Sequence, residues 1–149
     1  MKNLLFVAIV CLLLSCSKED LGTVNAYLGK EIKLKEGRTA LYKNTGFDAA
    51  AIVKLKVADV SDGTCPSDVF CITYGKVEVT LTIGLGNEKG ETIIMCLGDC
   101  AGGSRFEDEA RVVVGAMPYK IRLQHVTPLP TLKDKSSQTK EVQLVLERL

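Results

Sequence analysis

Four cysteines offer the most distinctive potential for chemistry in this chain: Cys65, Cys71, Cys96 and Cys100. Cysteine thiols can form disulfides, bind zinc or catalyse disulfide exchange. Exchange catalysts carry a Cys-x-x-Cys motif at the start of a helix, and neither close pair has that spacing. Zinc sites usually have about two to four residues between paired ligands, whereas five separate Cys65 from Cys71. Disulfides are therefore the first interpretation, provided that the compartment is oxidising.

Few other side chains are placed to do chemistry. His125 is the only histidine, so it cannot belong to a histidine-rich metal site, and no serine lies in a nucleophile-elbow motif. Glu107, Asp108 and Glu109 could bind Ca²⁺ together with Asp99, although an acidic run is usually a solvated loop. We therefore expect no catalytic residue, no bound metal and no cofactor.

The elements that position these residues follow an N-terminal leader. Lys2 precedes an apolar run over residues 4–14, which is too short to span a bilayer but typical of a signal peptide. A Leu-Leu-Ser-Cys tetrapeptide ends at Cys16 and resembles the lipobox of bacterial lipoproteins. The resemblance implies that residues 1–15 are a signal peptide and that Cys16 becomes the acylated N-terminus. Several acyl chains hold a protein firmly to a membrane, which a single chain does not.

The residues after Cys16 indicate the outer membrane. Retention at the inner membrane usually requires Asp directly after the lipid cysteine, and Ser17 stands there. The stretch Ser-Lys-Glu-Asp also resembles the acidic surface-export tag of some Gram-negative lipoproteins. We predict an outer-membrane, lipid-anchored protein on the cell surface, with a periplasm-facing position as the alternative. Residues 16–29 are predicted as anchor and tether, and residues 30–149 as one folded domain.

The composition is that of an ordinary globular domain. The chain has 149 residues, of which 19 are basic and 18 acidic, and its single surplus charge disappears if Lys2 is removed with the leader. Balanced charges at 25% of residues exclude a disordered chain, and there is no basic surplus for nucleic acid. The length allows one domain with one core. The predicted partners are the membrane, through the lipid, and an unknown protein or glycan.

Alternation of apolar and polar residues with a period of two dominates the rest of the chain. It is clearest over residues 53–58, 77–83, 119–124 and 142–147, and weaker strand candidates are residues 32–34, 39–42, 92–97 and 111–114. Residues 84–90 predict a hairpin turn, and the polar residues 133–140 predict a solvated loop before the last strand. Together these patterns predict an all-β antiparallel sandwich of about seven or eight strands with immunoglobulin-like architecture. A small β-barrel is the alternative.

The segment around the first two cysteines resembles a family of largely uncharacterised bacterial secreted and lipid-anchored β-proteins. Their motif is Asp-Ser-Arg-Cys-Pro-x-x-Val-x-Cys-x-Trp-x-Gly, and the matching residues are Asp62, Cys65, Pro66, Val69, Cys71 and Gly75. Gly63 and Thr64 replace the Ser-Arg pair, and Thr73 stands at the Trp position. The likeness extends more weakly over residues 31–149. The family has no established activity, so the resemblance informs the fold more than the function.

Two sets of disulfides are compatible with the cysteine spacing. Cys65 and Cys71 can meet across a turn begun by Pro66, and Cys96 and Cys100 can close a tighter loop, each contributing about 2 kcal/mol. A Cys65–Cys100 pair would close a longer loop and contribute about 4 kcal/mol. The family motif contains the first pair without the second, so the resemblance favours the two local pairs.

These observations favour a non-enzymatic binding or interaction module. The candidate binding loop comprises Pro66, Asp68, Val69 and Phe70, because a disulfide-closed loop has less entropy to lose on binding. A protease inhibitor that presents the same loop is the alternative. A further alternative is a glycan-active enzyme with paired carboxylates, such as those of Asp62 and Asp68.

Overall fold

The alternating segments form the strands of two packed sheets. The computed structural model describes residues 22–43, 52–134 and 138–149. These residues form ten strands: β1 (Thr23–Ala26), β2 (Glu31–Lys35), β3 (Thr39–Lys43), β4 (Ile52–Asp62), β5 (Lys76–Leu85), β6 (Glu91–Cys100), β7 (Gly103–Arg105), β8 (Asp108–Val114), β9 (Met117–Thr127) and β10 (Glu141–Arg148). Within this part of the chain no helix forms, and so none that could cross a membrane.

The strands pair into a six-stranded and a four-stranded sheet. The order is β1-β3-β4-β5-β6-β7 in the first sheet and β2-β10-β9-β8 in the second. Every pair is antiparallel except β1 with β3, which is parallel. The predicted β-sandwich is therefore confirmed, and the two sheets do not join into the alternative small barrel. The strands beyond the predicted seven or eight include β1 and β7, which are too short to show alternation.

Inward-facing side chains of both sheets build one core. Leu55 and Leu81 from the first sheet and Ile121 from the second are completely buried. Outward positions carry charged residues, such as Arg122 and Glu147, whose side chains form an ion pair of 2.9 Å across β9 and β10. The period-two pattern thus separates core from surface along most of each strand.

The first strand extends the folded domain beyond the predicted boundary at residue 30. β1 pairs with β3, and its last residue, Ala26, is buried in the core. These four residues fall within residues 16–29, the range predicted as anchor and tether. Folded structure therefore begins no later than Thr23.

Each sheet contains one β-bulge that shifts the alternation. In β4, Ala58 is an extra residue without a partner on β5. Val57 faces the core before the bulge, and Val60 and Asp62 face inward after it, because an extra residue inverts the phase of a strand. Without the bulge, the carboxylate of Asp62 would point to solvent.

The bulge in the second sheet lies near the end of β9. Gln124 is the extra residue there, and His125 resumes pairing opposite Gln143. Leu123 and Val126 both face the core, although three positions separate them. Both bulges precede the same end of the sandwich, which we call the apical end: β4 and β9 finish there, and β5 and β10 begin there.

Candidate functional site

Both local disulfides are formed at the apical end. Cys65 is bonded to Cys71 and Cys96 to Cys100, with Cα–Cα distances of 6.0 Å and 6.1 Å. These distances lie within the ordinary range for disulfides. The two favoured pairings are confirmed. The four-cysteine zinc site is excluded, because bonded sulfurs are not thiolates.

The Cys65–Cys71 loop is fixed to the segment that follows β9. The amide of Ser67 donates to the carbonyl of Pro130 at 2.9 Å. The amide of Leu132 donates to the carboxylate of Asp68, at 3.0 Å to Oδ1 and 3.2 Å to Oδ2. The loop is therefore held at its ends by the disulfide and along one side by these hydrogen bonds.

The four residues of the predicted binding loop occupy different environments. Pro66 is buried beneath the loop, and the carboxylate of Asp68 is used for the contact just described. Val69 is 38% exposed and Phe70 is 98% exposed. Val69 and Phe70 are therefore the members available to a partner.

A buried ion pair supports the apical loops from below. Lys140 Nζ lies 2.6 Å from Asp62 Oδ2 and also donates to the carbonyl of Pro128 at 2.7 Å. Only 11% of the lysine side chain and 8% of the aspartate side chain are exposed. Asp62 Oδ1 accepts from the amide of Thr64 at 3.0 Å and from its hydroxyl at 2.6 Å. Each of the two charged groups thus has several hydrogen-bond partners.

These partners determine the ionisation of the carboxylate. Burial raises the pKa of Asp62, but hydrogen bonds from Lys140 and Thr64 and the charge of Lys140 together outweigh burial and hold that pKa below its usual value. The prediction of a solvated loop over residues 133–140 was wrong for Lys140. Its ammonium group is buried because the bulge in β4 turns a carboxylate inward to meet it.

Two glycines allow the backbone segments at the apical end to pack side by side. Gly75 has φ of +80° and Gly98 has φ of +88°. A Cβ on Gly75 would overlap the carbonyl oxygen of Gly63, and one on Gly98 would overlap that of Gly75. The amide of Asp99 donates to the carbonyl of Gly75 at 2.8 Å, and the amide of Gly75 donates to Asp99 Oδ2 at 2.9 Å. These bonds join the end of β6 to the start of β5 and shape one wall of a cleft.

The cleft opens between the two sheets at the apical end and has a volume of about 470 Å³. Its walls are mainly apolar, and two exposed aromatic side chains stand at its rim. The apolar residues are Val77, Leu97, Val126 and Leu129, the aromatic residues are Tyr74 and Phe106, and the polar side chains are those of Asp62, Thr64, Ser104, Arg105, Gln124 and His125. A volume of this size is typical of small-molecule sites, which span about 300–1,000 Å³.

Gln124 contributes a buried polar group without a hydrogen bond to the lining of the cleft. Its Oε1 atom is buried and has no hydrogen-bond partner among the described residues. An unpaired buried acceptor costs about 1–3 kcal/mol, which a ligand carrying an N–H or O–H group recovers once the Gln124 amide turns its oxygen toward the cleft. His125 beside it also lines the cleft but is exposed.

The residues that define the cleft were only partly accessible to sequence reasoning. Asp62 was singled out by the motif resemblance, but neither Gln124, which lines the cleft, nor Lys140, which pairs with Asp62, was identified. Their roles depend on the two bulges, and a bulge leaves no mark in the local pattern beyond one break in alternation. The spacing of Leu123 and Val126, three apart where two was expected, is the signal that could have revealed Gln124.

The acidic residues considered for calcium serve other contacts. The carboxylate of Asp108 accepts from the amide of Cys96 at 3.0 Å and pairs with Arg105 at 3.0 Å. Asp99 is engaged with Gly75, as described above. Across residues 22–43, 52–134 and 138–149, no three His, Cys, Asp or Glu side chains lie close enough together to share a metal ion.

Comparisons with known proteins do not identify this chain. The chain matches no known protein family, no curated protein and no solved structure. Residues 1–15 and Cys16 lie outside the described residues, so the signal peptide and the lipid anchor stay predictions.

Proposed function

We propose that the protein is a lipid-anchored, non-enzymatic binding protein of the outer membrane and that its binding site is the apical cleft. The observation that carries this proposal is the cleft of about 470 Å³ with apolar walls and one unpaired buried acceptor, Gln124 Oε1. Binding sites for small molecules combine a mostly apolar lining with a few placed polar groups in this way. The anchor rests on the lipobox resemblance that ends at Cys16.

The lining of the cleft indicates the chemical class of the ligand. Apolar walls favour an apolar or aromatic body, because its burial removes apolar surface from water. The Gln124 oxygen favours a hydrogen-bond donor on that body. The carboxylate of Asp62 is already neutralised by Lys140, so the cleft does not require a cation. The ligand is therefore a small neutral amphiphile with an N–H or O–H group.

N-phenyl-1-naphthylamine is a suitable probe, since it combines two aromatic ring systems with one N–H donor and fluoresces in apolar sites. The chain from Cys16 to Leu149 contains every described strand and both disulfides. We expect titration with the probe to give a saturable rise in fluorescence with one site per chain. Replacing Gln124 by Leu should weaken binding by about three- to tenfold, because one hydrogen bond is lost.

Gln143→Leu is the matched control for that substitution. Gln143 lies on β10 opposite His125 and does not line the cleft. Its replacement should leave the affinity unchanged. If both variants bind the probe as the parent chain does, or if the parent shows no saturable binding, the cleft is not the binding site.

The anchor has a separate test. Cells that produce the full chain are labelled with radioactive palmitate, and the protein is compared with its Cys16→Ala variant. We expect label in the parent and none in the variant. A parent chain that stays unlabelled would remove the lipid anchor from the proposal and leave the cleft to be judged by the probe.

Protease inhibition is a second candidate, favoured by the exposure of Phe70 within a disulfide-closed loop. A rigid exposed loop is the feature that an inhibitor offers to a protease cleft. A panel of serine and cysteine proteases assayed with micromolar protein tests this candidate. If the candidate is right, at least one protease is inhibited and Phe70→Ala relieves that inhibition. The candidate is wrong if no protease is inhibited.

A further inference from the structure

The exposed apolar side chains of the described residues are concentrated at the apical end. Seven of the twelve large exposed hydrophobic residues lie in its loops, and we call them the apical patch. Its members are Val69, Phe70, Ile72, Tyr74, Phe106, Leu129 and Leu132. Tyr74, Phe106 and Leu129 line one cleft, and hydrogen bonds from Ser67 and Leu132 join the remaining loops. A concentration of this kind marks an interaction surface for protein or membrane.

The first residue of β1, Thr23, is the residue of that strand nearest to the apical end. β4 runs toward the apical end, β3 is antiparallel to β4, and β1 is parallel to β3, so β1 runs away from that end. The carbonyl of Gly22 accepts from the amide of Thr39 at 2.8 Å, and the chain bends at Gly22, where φ is +68°. The predicted lipid cysteine, Cys16, precedes Thr23 by seven residues.

The length of this connection allows the anchor to reach the apical loops, as it also allows it to reach the opposite end. Thr23 is level with Thr39, which pairs with Lys56. From there β4 rises over five paired positions to Asp62, or about 17 Å at the usual rise per residue. Seven residues extend over at most about 24 Å. At full extension, a lipid at Cys16 can therefore reach the level of the end of β4, where the loop of Phe70 lies.

We propose that the apical patch rests in the surface of the membrane that holds the anchor, so that the cleft opens at the lipid interface. This inference rests on the lipid anchor of the proposed function. The opposite end exposes fewer large apolar residues, among them Tyr27 and Val113, and its β5–β6 turn exposes the polar residues Asn87, Glu88 and Lys89. Aromatic side chains such as Tyr74 are favoured at the boundary between lipid and water.

The absence of tryptophan from the chain permits a direct test. Phe70→Trp places one fluorophore in the patch, and Tyr27→Trp places one in an exposed position just after β1, toward the opposite end. In each variant, the chain from Cys16 to Leu149 is coupled through the Cys16 thiol to maleimide lipids in phosphatidylethanolamine–phosphatidylglycerol vesicles. The other four cysteines of this chain are held in disulfides. Emission is compared between vesicles with brominated and with ordinary acyl chains.

We expect the emission of Phe70→Trp to shift to shorter wavelength and to be lost in brominated vesicles, while that of Tyr27→Trp stays unchanged. Equal emission of Phe70→Trp in both kinds of vesicle overturns the inference. Equal quenching of both variants also overturns it, since both ends of the domain would then contact the membrane equally. A blue shift without bromine quenching would mean that a second copy covers the patch. Chemical coupling makes these results independent of natural acylation and of probe binding, so either part of the proposed function can fail separately.

Discussion

At the scale of single residues, the apical end depends on one buried ion pair. The ammonium group of Lys140 bonds Asp62 and the carbonyl of Pro128, and Thr64 completes the partners of the carboxylate. A buried pair contributes little net stability compared with an apolar substitute, but removal of one partner leaves an unpaired charge in the interior. The pair therefore holds the ends of β4 and β9 and the start of β10 in one arrangement.

Lys140→Met tests the burial of this pair. The substitution keeps most of the length of the side chain but leaves the Asp62 carboxylate buried without its cation, so we expect a loss of about 3–5 kcal/mol in the free energy of unfolding. Urea denaturation measures this loss. Lys76→Met is the matched control, because Lys76 and Glu78 form an exposed pair and such pairs contribute about 0–1 kcal/mol. Similar small losses in both variants would contradict the buried pair.

The pH dependence of stability follows from the lowered pKa of Asp62. A carboxyl group whose pKa is lower in the folded state stabilises the fold above its unfolded pKa of about 4, and this contribution is lost as the pH falls through the folded value. Asp62→Asn removes it. We expect the stability difference between parent and variant to be largest at neutral pH and to shrink in acid. Urea denaturation at pH 7 and pH 3 measures this stability difference. A difference that grows in acid would contradict the lowered pKa of Asp62.

Under the proposed function, Gln124 serves binding at the expense of stability. Its buried oxygen is unpaired in the free protein, and replacement by Leu removes a desolvated acceptor. We expect Gln124→Leu to raise the free energy of unfolding by about 1 kcal/mol. The same variant should bind the naphthylamine probe more weakly. A variant that is destabilised would indicate that the oxygen has a structural partner.

At the scale of elements, the two disulfides fasten different parts of the apical end. Cys65–Cys71 closes the loop between β4 and β5, and Cys96–Cys100 lies within the last residues of β6. Each closes a short loop, and a short loop constrains the unfolded chain only modestly. The loop between β4 and β5 contains most of the apical patch, so its disulfide affects the proposed contact surface more directly.

Replacing Cys65 and Cys71 by Ser should lower the free energy of unfolding by about 2 kcal/mol. Amide hydrogen exchange should accelerate between Thr64 and Tyr74, because the loop keeps only its contacts with the segment after β9. The control is the double Cys96→Ser, Cys100→Ser variant, which should lose a similar free energy without faster exchange in that loop. Unchanged exchange in the first variant would show that the disulfide does not order the loop.

The strands were predictable from sequence where side-chain alternation is long and regular, as in β5 and β9. The sequence pattern did not predict β1, which has only four residues, or the phase changes at Ala58 and Gln124. A bulge arises from pairing with a neighbouring strand, which a local pattern does not contain. The Cys65–Cys71 loop was therefore predicted, whereas the pair of Asp62 with Lys140 was not, since it joins residues 78 positions apart.

At the scale of the whole molecule, the cleft and the apical patch share one end of the sandwich. The two sheets supply a rigid frame, and the bulges turn Asp62 and Gln124 toward a space whose walls are mainly apolar. A frame of this kind keeps a site open without a ligand, which lowers the entropy lost on binding. We infer one working end, directed toward the membrane, and a polar end directed away from it.

The central claim is that the apical cleft binds a small apolar ligand, and an NMR titration tests it most directly. The chain from Cys16 to Leu149 is labelled at the methyl groups of Val and Leu and titrated with N-phenyl-1-naphthylamine. We predict saturable shifts at Val77, Leu97 and Val126, and none at Leu85 and Val114, which lie outside the cleft. Shifts at Leu85 or Val114 without shifts at the three cleft residues, or no shift at saturating probe, would contradict the account.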